Sequence, residues 1–344
     1  MFQSFDSPGA PEQGPPRLAA LRAGLADEGL DGFIVPRADV HQGEYVADRD
    51  ARLQWLTGFT GSAGFAAVLR DVAGIFVDGR YRTQVRTQVA DDFTPVHWPE
   101  VRLATWLKDQ LPSGGCVGYD PWLQTPAEME RRRTALKSSD ITLKPVDNLV
   151  DRIWTDQPAP PSAKVQAHPI EFAGKSAADK RSDIANALRD AGHAAAVLTL
   201  PDSIMWLLNI RGADIPRNPL AHGFAIVHQD ASVDLFMADH KLDGMAQHLG
   251  SNVTLHDPEH FTDRLGALTG KVRLDKASVP EAVATLLGDR ADLTTDPCAL
   301  PKARKNAAEI AGSAAAHLRD GAAVTQHLRW LDAQPPGRAR KLTL

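Results

Sequence analysis

The sequence contains few cysteines, no long apolar run and no excess of positive charge. Only two of its 344 residues are cysteines, Cys116 and Cys298, which argues against a disulfide framework and fits a reducing compartment. No apolar stretch approaches the roughly 20 residues that a membrane-spanning helix needs, and residues 1–16 lack the regions of a secretion signal. The net charge of −5 provides no general attraction for nucleic acid. These absences predict a cytoplasmic protein that binds neither nucleic acid nor membrane.

Strands alternate with helices along the first half of the chain. Pro16 suits the first turn of a helix that would end near residue 28, and Leu18, Leu21 and Leu25 would form its buried stripe. Short apolar runs predict strands at 32–36, 64–69, 74–78 and 116–120. This alternation is typical of an α/β domain with helices packed on a sheet.

The second half of the chain repeats the pattern of the first. In the same order, segments 18–40, 54–61, 64–68 and 74–79 resemble segments 184–204, 205–212, 223–227 and 234–239. Chance explains any single pair but not the ordered set. The fold class is therefore predicted to be α/β, with two homologous domains, each a mixed sheet flanked by helices. A proline-rich linker would join them over residues 156–169.

The composition and the repeat together suggest the domain boundaries. We expect a flexible tail over residues 1–15, the first domain over 16–156 and the second over 157–300. Residues 301–344 contain one further helix, predicted over about 305–333. Apolar residues recur on one face of this last helix, so it requires a packing partner inside or outside the chain.

Histidine is abundant, but its best local pattern does not favour a metal site. In "HDPEH" (256–260), His256 and His260 have the i, i+4 spacing that binds zinc when both lie on one helical face. Pro258 keeps the preceding residue away from helical angles, so the pair would not share a face. A loop before the next helix is favoured, and no metal ligand is assigned.

The glycine-rich stretch "GFTGSAG" (58–64) also favours a structural interpretation. It lacks the lysine and the Ser or Thr of a phosphate-binding loop. A turn with left-handed backbone angles, or close backbone packing, before the next strand explains its glycines. Since the sequence has no nucleophile elbow and neither cysteine has a basic neighbour, no catalytic residue is assigned.

The segment "FVDGRYRTQ" (76–84) contains the strongest candidate for ligand contact. A strand would end at Asp78, and Arg80 would lie at its exit, where α/β domains usually contact ligands. An arginine there could pair with a carboxylate or bind carbonyl oxygens. A turn contact between Asp78 and Arg80 without any ligand is the equally good alternative from the residues alone.

Five long segments resemble the Xaa-Pro aminopeptidases (aminopeptidase P), a family related to creatinase and prolidase. The match covers nearly all of the chain from about Leu18 to Asp332, in the order of the long, three-domain form. The segments are "VPRADVHQGEYVADRDARLQWLTGFTGSAG" (35–64), "VDGRYRTQ" (77–84), "NLVDRIWTDQP" (148–158), "DSIMWLLNIRGADIPRNPLAHGFAIV" (202–227) and "PKARKNAAEIAGSAAAHLRDGAAVTQHLRWLD" (301–332).

The resemblance implies a peptidase that releases the first residue from peptides with proline in second position. In the family, a third domain of pita-bread fold holds two manganese ions through two aspartates, one histidine and two glutamates. Two metals generate a bridging hydroxide and polarise the scissile carbonyl. Those ligand motifs lie beyond the family's "RDGAA" helix, and residues 333–344 contain no Asp, Glu or His. We therefore expect no metal, cofactor or catalytic residue in this chain.

The resemblance also implies a role for Arg80. The arginine of the family's "DGRY" motif contacts the peptide substrate, which favours substrate binding by Arg80 over a mere turn contact. First domains of the family often take part in subunit contacts, so a homodimer is a possible partner arrangement.

We expect a non-catalytic, N-terminal portion of a Xaa-Pro aminopeptidase, shortened before the catalytic domain and inactive alone. The main alternative is a stand-alone peptide-binding or dimerisation module, and a further one is a partial enzyme completed by a separately encoded catalytic domain. By resemblance, the last helix would belong against the missing domain. Leu318, Leu328 and Leu331 of that helix are therefore predicted to be exposed.

Overall fold

The computed structural model describes residues 9–335. The strands of the first half are β1 (Gly32–Pro36), β2 (Gly64–Leu69), β3 (Ala73–Val77), β4 (Thr94–His97), β5 (Gly115–Tyr119) and β6 (Ile141–Pro145). Those of the second half are β7 (Gln166–Ala167), β8 (Ala195–Leu198), β9 (Ile210–Arg211), β10 (Phe224–His228), β11 (Val233–Phe236), β12 (Val253–His256), β13 (Val272–Asp275) and β14 (Ala291–Thr294).

Helices connect and flank these strands. In the first half they are α1 (Gly14–Asp27), α2 (Arg52–Thr57), α3 (Val85–Gln88), α4 (Leu103–Gln110), α5 (Pro126–Leu136) and α6 (Leu149–Ile153). In the second half they are α7 (Ile170–Ala173), α8 (Ala177–Asp190), α9 (Pro201–Leu208), α10 (Ala246–Leu249), α11 (Phe261–Ala267), α12 (Glu281–Leu287), α13 (Ala299–Ala303) and α14 (Ala307–Asp332). Within residues 9–335, no helix is both long and apolar enough to cross a bilayer.

The two six-stranded sheets have the same topology. The strand order is β4-β3-β2-β1-β5-β6 in the first and β12-β11-β10-β8-β13-β14 in the second. The central strand of each sheet, β1 or β8, pairs antiparallel with one neighbour and parallel with the other. The predicted α/β class with two homologous, mixed-sheet domains is confirmed.

Helix α1 and strand β1 show how the sequence pattern creates the first core. The three leucines of α1, Leu18, Leu21 and Leu25, are buried in one cluster with Phe33. The next residue of the strand, Ile34, is buried in a second cluster on the other face of the sheet. Because successive strand residues point to opposite faces, β1 is apolar throughout and covered on both sides.

The two domains are joined by a hydrogen-bonded interface. The Tyr119 hydroxyl donates to the Glu281 carboxylate at 2.6 Å, and the backbone N–H of Glu281 donates to the carbonyl of Gln124 at 2.8 Å. Nearby, the N–H of Ala127 donates to the carbonyl of Lys276 at 3.1 Å. These bonds cross between the end of β5 and the start of α12, so the domains have a defined relative orientation.

Two of the predicted boundaries are corrected. Residues 1–8 of the expected tail lie outside the described residues, but Pro11–Gln13 form a short 3-10 helix and α1 already begins at Gly14. The tail prediction was too long because Gly14, which is buried, packs close to the ring of Phe93, a contact between distant segments that composition does not reveal.

The predicted linker is also too long at its C-terminal end. Val165 is buried and its N–H donates to the carbonyl of Lys241 at 2.8 Å. The next two residues form β7, which pairs antiparallel with β9. The irregular connection is therefore restricted to the part of 156–169 before Val165.

Helix α14 is exposed along its length. Its first turn is stabilised by a capping box, in which the Asn306 side chain accepts from the Glu309 N–H at 3.1 Å and the Glu309 carboxylate accepts from the Asn306 N–H at 2.9 Å. The exposed fractions of Leu318, Leu328 and Leu331 are 78%, 53% and 36%. The prediction of exposed leucines on this helix is confirmed.

Candidate functional site

Arg80 lies at the exit of strand β3, where the sequence predicted it. The Asp78 carboxylate accepts the backbone N–H of Arg80 at 2.9 Å and so caps a 3-10 helix over Gly79–Tyr81. The guanidinium of Arg80 then folds back onto the same carboxylate, with Nη2 donating to Oδ2 at 2.7 Å. The turn contact between the two residues is therefore present.

This turn contact leaves the guanidinium accessible. The side chain of Arg80 remains 64% exposed, and the pair with Asp78 uses Nε and Nη2 but not Nη1. The hydrogen bond between the two side chains lowers the pKa of Asp78 and raises the pKa of Arg80. Arg80 thus presents a positive charge at the surface while it pairs with Asp78.

The neighbouring Tyr81 connects this arginine to the glycine-rich segment. The Tyr81 ring lies 5.1 Å from the Arg80 guanidinium, and the Tyr81 hydroxyl is 2.6 Å from the hydroxyl oxygen of Ser62. Gly58, the first glycine of that segment, ends α2 with a φ of +84°. A Cβ atom at Gly61 or Gly64 would lie within 3 Å of Phe59 or of the Phe76 carbonyl oxygen. The structural interpretation of "GFTGSAG" is therefore confirmed, with left-handed angles at Gly58 and close packing at the other two glycines.

The histidines of "HDPEH" are placed as the sequence predicted. His256 ends strand β12 and its Nε2 contacts the Asp234 carboxylate at 2.7 Å. His260 belongs to a separate 3-10 helix that begins at Pro258. The two histidines therefore do not share a helical face.

A cluster of titratable side chains occupies the interface between the domains. Asp39 and Asp50 come from the loops between β1 and α2, and His222 comes from the segment before β10. One ligand atom from each residue lies within 4.8 Å of the other two. We call this group the interdomain cluster.

Burial determines the protonation of this cluster. It raises the pKa of Asp39 and of Asp50. A protonated His222 would oppose the shift of the first, and the charge of Arg52 opposes the shift of the second. Burial lowers the pKa of His222 to about 4, with the neighbouring His41 adding to the shift. The imidazole of His222 is consequently neutral at pH 7.

Sequence reasoning missed the interdomain cluster. Its histidine is more than 170 residues away from its aspartates along the chain, so no local spacing connects them. The family resemblance came nearest to indicating the cluster. Its segment "VPRADVHQGEYVADRD" contains both aspartates, but the resemblance assigns no role to them.

The described residues do not fit the family's two-metal centre. Among residues 9–335, the interdomain cluster alone groups three or more His, Cys, Asp or Glu side chains closely enough to share an ion. Its two aspartates and one histidine differ from the ligand set that the family resemblance implies, which also contains two glutamates.

Both halves of the chain match models of known domain families. Residues 17–153 and residues 156–309 each match a model described as the creatinase/prolidase N-terminal domain. Together the two matches cover most of the chain, and each contains one of the six-stranded sheets.

Curated relatives and a solved structure match over nearly the whole chain. The chain is 37% identical to a probable Xaa-Pro aminopeptidase P of Coccidioides posadasii and 36% identical to one of Talaromyces stipitatus, over 92% of its own length and 54% and 51% of theirs. A Caenorhabditis elegans X-prolyl aminopeptidase, described as a cytosolic enzyme with a di-nuclear active site, superposes with a TM-score of 0.86 at 29% identity. That match covers 96% of this chain and 56% of the other, so the chain spans about half the length of its relatives.

Proposed function

Because the chain belongs to the creatinase/prolidase N-terminal domain family, we propose that it is the non-catalytic, N-terminal part of a Xaa-Pro aminopeptidase. The observation that carries this proposal is the superposition of 96% of the chain on about half of an X-prolyl aminopeptidase. The domain pair would position peptides with proline in second position for a catalytic domain of the same enzyme. By likeness to that cytosolic relative, we also propose a cytoplasmic location.

The arrangement of metal-ligating side chains supports a non-catalytic role for the described residues. Metal-dependent peptide hydrolysis requires ligands for the ions that activate water. The interdomain cluster does not provide the ligand set of a two-metal centre. We therefore propose that the two manganese ions of the family belong to a domain other than these two.

Helix α14 supports a connection to such a domain. Its N-terminus is tied to the second domain, because Asn306 Nδ2 donates to the carbonyl of Ala173 at 2.8 Å. Beyond this anchor, Ile310, Val324 and Trp330 add to the exposed apolar surface, with exposed fractions of 43% or more. Exposed large apolar side chains on one helix are typical of an interaction site, which we assign to the catalytic domain.

Peptide hydrolysis by the isolated chain tests the proposal. We expect no release of the first residue from an Xaa-Pro peptide by residues 1–344 in the presence of Mn²⁺, since residues 9–335 do not group the ligands of a two-metal centre. The measurement is a chromatographic assay of the released amino acid, with the Caenorhabditis elegans enzyme as the positive control. Hydrolysis that scales with chain concentration and stops with chelator would refute the non-catalytic assignment.

Arg80 is the residue that we propose to contact the peptide. Its exposed guanidinium can donate to a peptide carbonyl oxygen while Asp78 holds it in place. Since the isolated chain offers only part of a binding site, we expect weak binding of an Xaa-Pro peptide, with a Kd of about 1 mM. Chemical-shift perturbation should detect it in the wild type and not in Arg80→Gln.

Arg82→Gln is the matched control for that experiment. Arg82 is partly exposed two residues away and pairs with Glu100 instead, so its replacement should leave peptide binding unchanged. Equal loss in both variants would mean that net charge, not Arg80, attracts the peptide.

The exposed face of α14 also favours the alternative, a stand-alone peptide-binding or dimerisation module. Light scattering separates the two proposals. A stable dimer that disperses when Leu318 is replaced by lysine would support the module, and a monomer would support the aminopeptidase part.

A further inference from the structure

Asp39 contains an unpaired carboxylate oxygen in the interface between the domains. Its side chain is 1% exposed, and Oδ1 accepts the N–H groups of His41 at 2.9 Å and of Gly43 at 3.2 Å. The other oxygen, Oδ2, is buried and has no hydrogen-bond partner among the described residues. Leaving such an acceptor unsatisfied costs free energy, and a carboxylate is the costliest case.

Asp39 Oδ2 faces the imidazole of His222. The distance from Oδ2 to Nε2 is 3.7 Å, which is too long for a hydrogen bond. Two ligand atoms that each lie about 2.1 Å from a tetrahedral zinc ion are about 3.4 Å apart. The separation is therefore closer to that of two ligands of one ion than to that of a bonded pair.

The two buried basic residues near the cluster pair with carboxylates other than Asp39, one of them with Asp50 of the cluster itself. Arg52 binds Asp151 through Nε at 2.7 Å and Nη2 at 2.9 Å, and its Nη1 binds Asp50 at 3.0 Å. Lys241 pairs with the buried Asp214. Neither cation is paired with Asp39, so the buried carboxylate faces a histidine and a second carboxylate without a positive partner.

The residues that present the three side chains are themselves held in place. The backbone N–H of His222 donates to Asp214 at 2.6 Å, and its carbonyl accepts from Lys241 at 3.2 Å. Asp50 is oriented by its bond to Arg52. In known metal sites, hydrogen bonds from neighbouring groups to the ligand residues orient those ligands in the same way.

We propose that Asp39, Asp50 and His222 bind one divalent transition-metal ion that connects the first domain to the second. One imidazole nitrogen with two carboxylate oxygens suits Zn²⁺ or Mn²⁺, whereas Ca²⁺ and Mg²⁺ prefer oxygen ligands only. The ion satisfies Asp39 Oδ2 and stabilises the interface. It is structural, and it is separate from the metals of peptide hydrolysis.

Calorimetric titration of the full, tag-free chain tests this site. After treatment with chelator and dialysis, Zn²⁺ and Mn²⁺ are added separately. We expect one ion per chain to bind with micromolar or tighter Kd for at least one of the two metals. Because the ion binds only the folded interface, it should also raise Tm by several degrees.

Conservative variants identify the ligands. Asp39→Asn keeps the shape of the side chain, and His222→Gln replaces the ring with an uncharged polar side chain of similar reach. Each should weaken binding by at least about tenfold. His260→Gln makes the same chemical change at an exposed histidine outside the interface and should leave binding unchanged.

Two results would overturn the proposal. One is the absence of stoichiometric binding of either metal by the folded wild-type chain. The other is binding that persists in both variants while circular dichroism shows them folded. If Asp39→Asn fails to fold, the proposal is still tested, because His222→Gln and the titration of the wild type each give an independent result.

Discussion

Replacing Lys241 with methionine is expected to destabilise the second domain by about 4 kcal/mol, because it leaves a buried carboxylate without its cation. The Lys241 side chain is 4% exposed and pairs with Asp214, whose side chain is fully buried. Methionine preserves the length of the stem but removes the charge. Urea denaturation followed by circular dichroism measures the loss in the free energy of unfolding.

Lys164→Met provides the matched control for this substitution. Lys164 pairs with Asp243 at the surface, where both side chains are more than half exposed. An exposed pair of this kind contributes about 0–1 kcal/mol, so the control should remain close to the wild type. Similar losses in the two variants would mean that burial does not determine the effect.

The double variant Lys241→Met with Asp214→Asn tests the mechanism. If the unpaired charge of Asp214 causes the loss, its removal should restore part of the stability. An additive, larger loss would instead assign the effect to packing. The same pair also holds the backbone of His222, so it supports the proposed metal site as well as the second domain.

Replacing Gly58 with alanine is expected to destabilise the first domain by about 3 kcal/mol, through backbone strain and a steric clash. Gly58 has a φ of +84°, which side-chain-bearing residues rarely adopt. A Cβ atom there would also lie 2.4 Å from the carbonyl oxygen of Gln88. The measurement is again the free energy of unfolding in urea.

Gly24→Ala is the control for the glycine substitution. Gly24 lies inside helix α1 and a Cβ atom there would meet no heavy atom within 4 Å. Alanine in a helix is favoured over glycine by about 0.5–1 kcal/mol, so this variant should be slightly more stable. Equal destabilisation by both substitutions would contradict the role given to the turn at Gly58.

Much of the fold was predictable because burial is encoded locally. The leucine spacing of α1 and the apolar run of β1 indicate which faces of these elements are buried. This holds whichever element packs against them. The ordered repeat of segments predicted two domains of the same class, and the two sheets have identical strand order. The exposed leucines of α14 were predicted as well, but only with the help of the family resemblance.

The boundaries were less predictable, since they depend on contacts between distant segments. Nothing in the proline-rich stretch 156–169 indicates that Val165 is buried or that the next two residues pair with β9. The structural setting of Arg80 was predictable only in part. Its place at a strand exit follows from the sequence, whereas its pairing with Asp78 and its remaining exposure required the structure.

By itself, the sequence determined the fold class, the repeat, the buried faces and the position of Arg80, because these depend on residues close together in the chain. The tertiary structure alone decided the interdomain cluster. Asp39, Asp50 and His222 come together because Tyr119 and Glu281 join the two domains in one orientation. Side chains that are far apart in sequence meet only through such packing, and no periodicity of the chain specifies it.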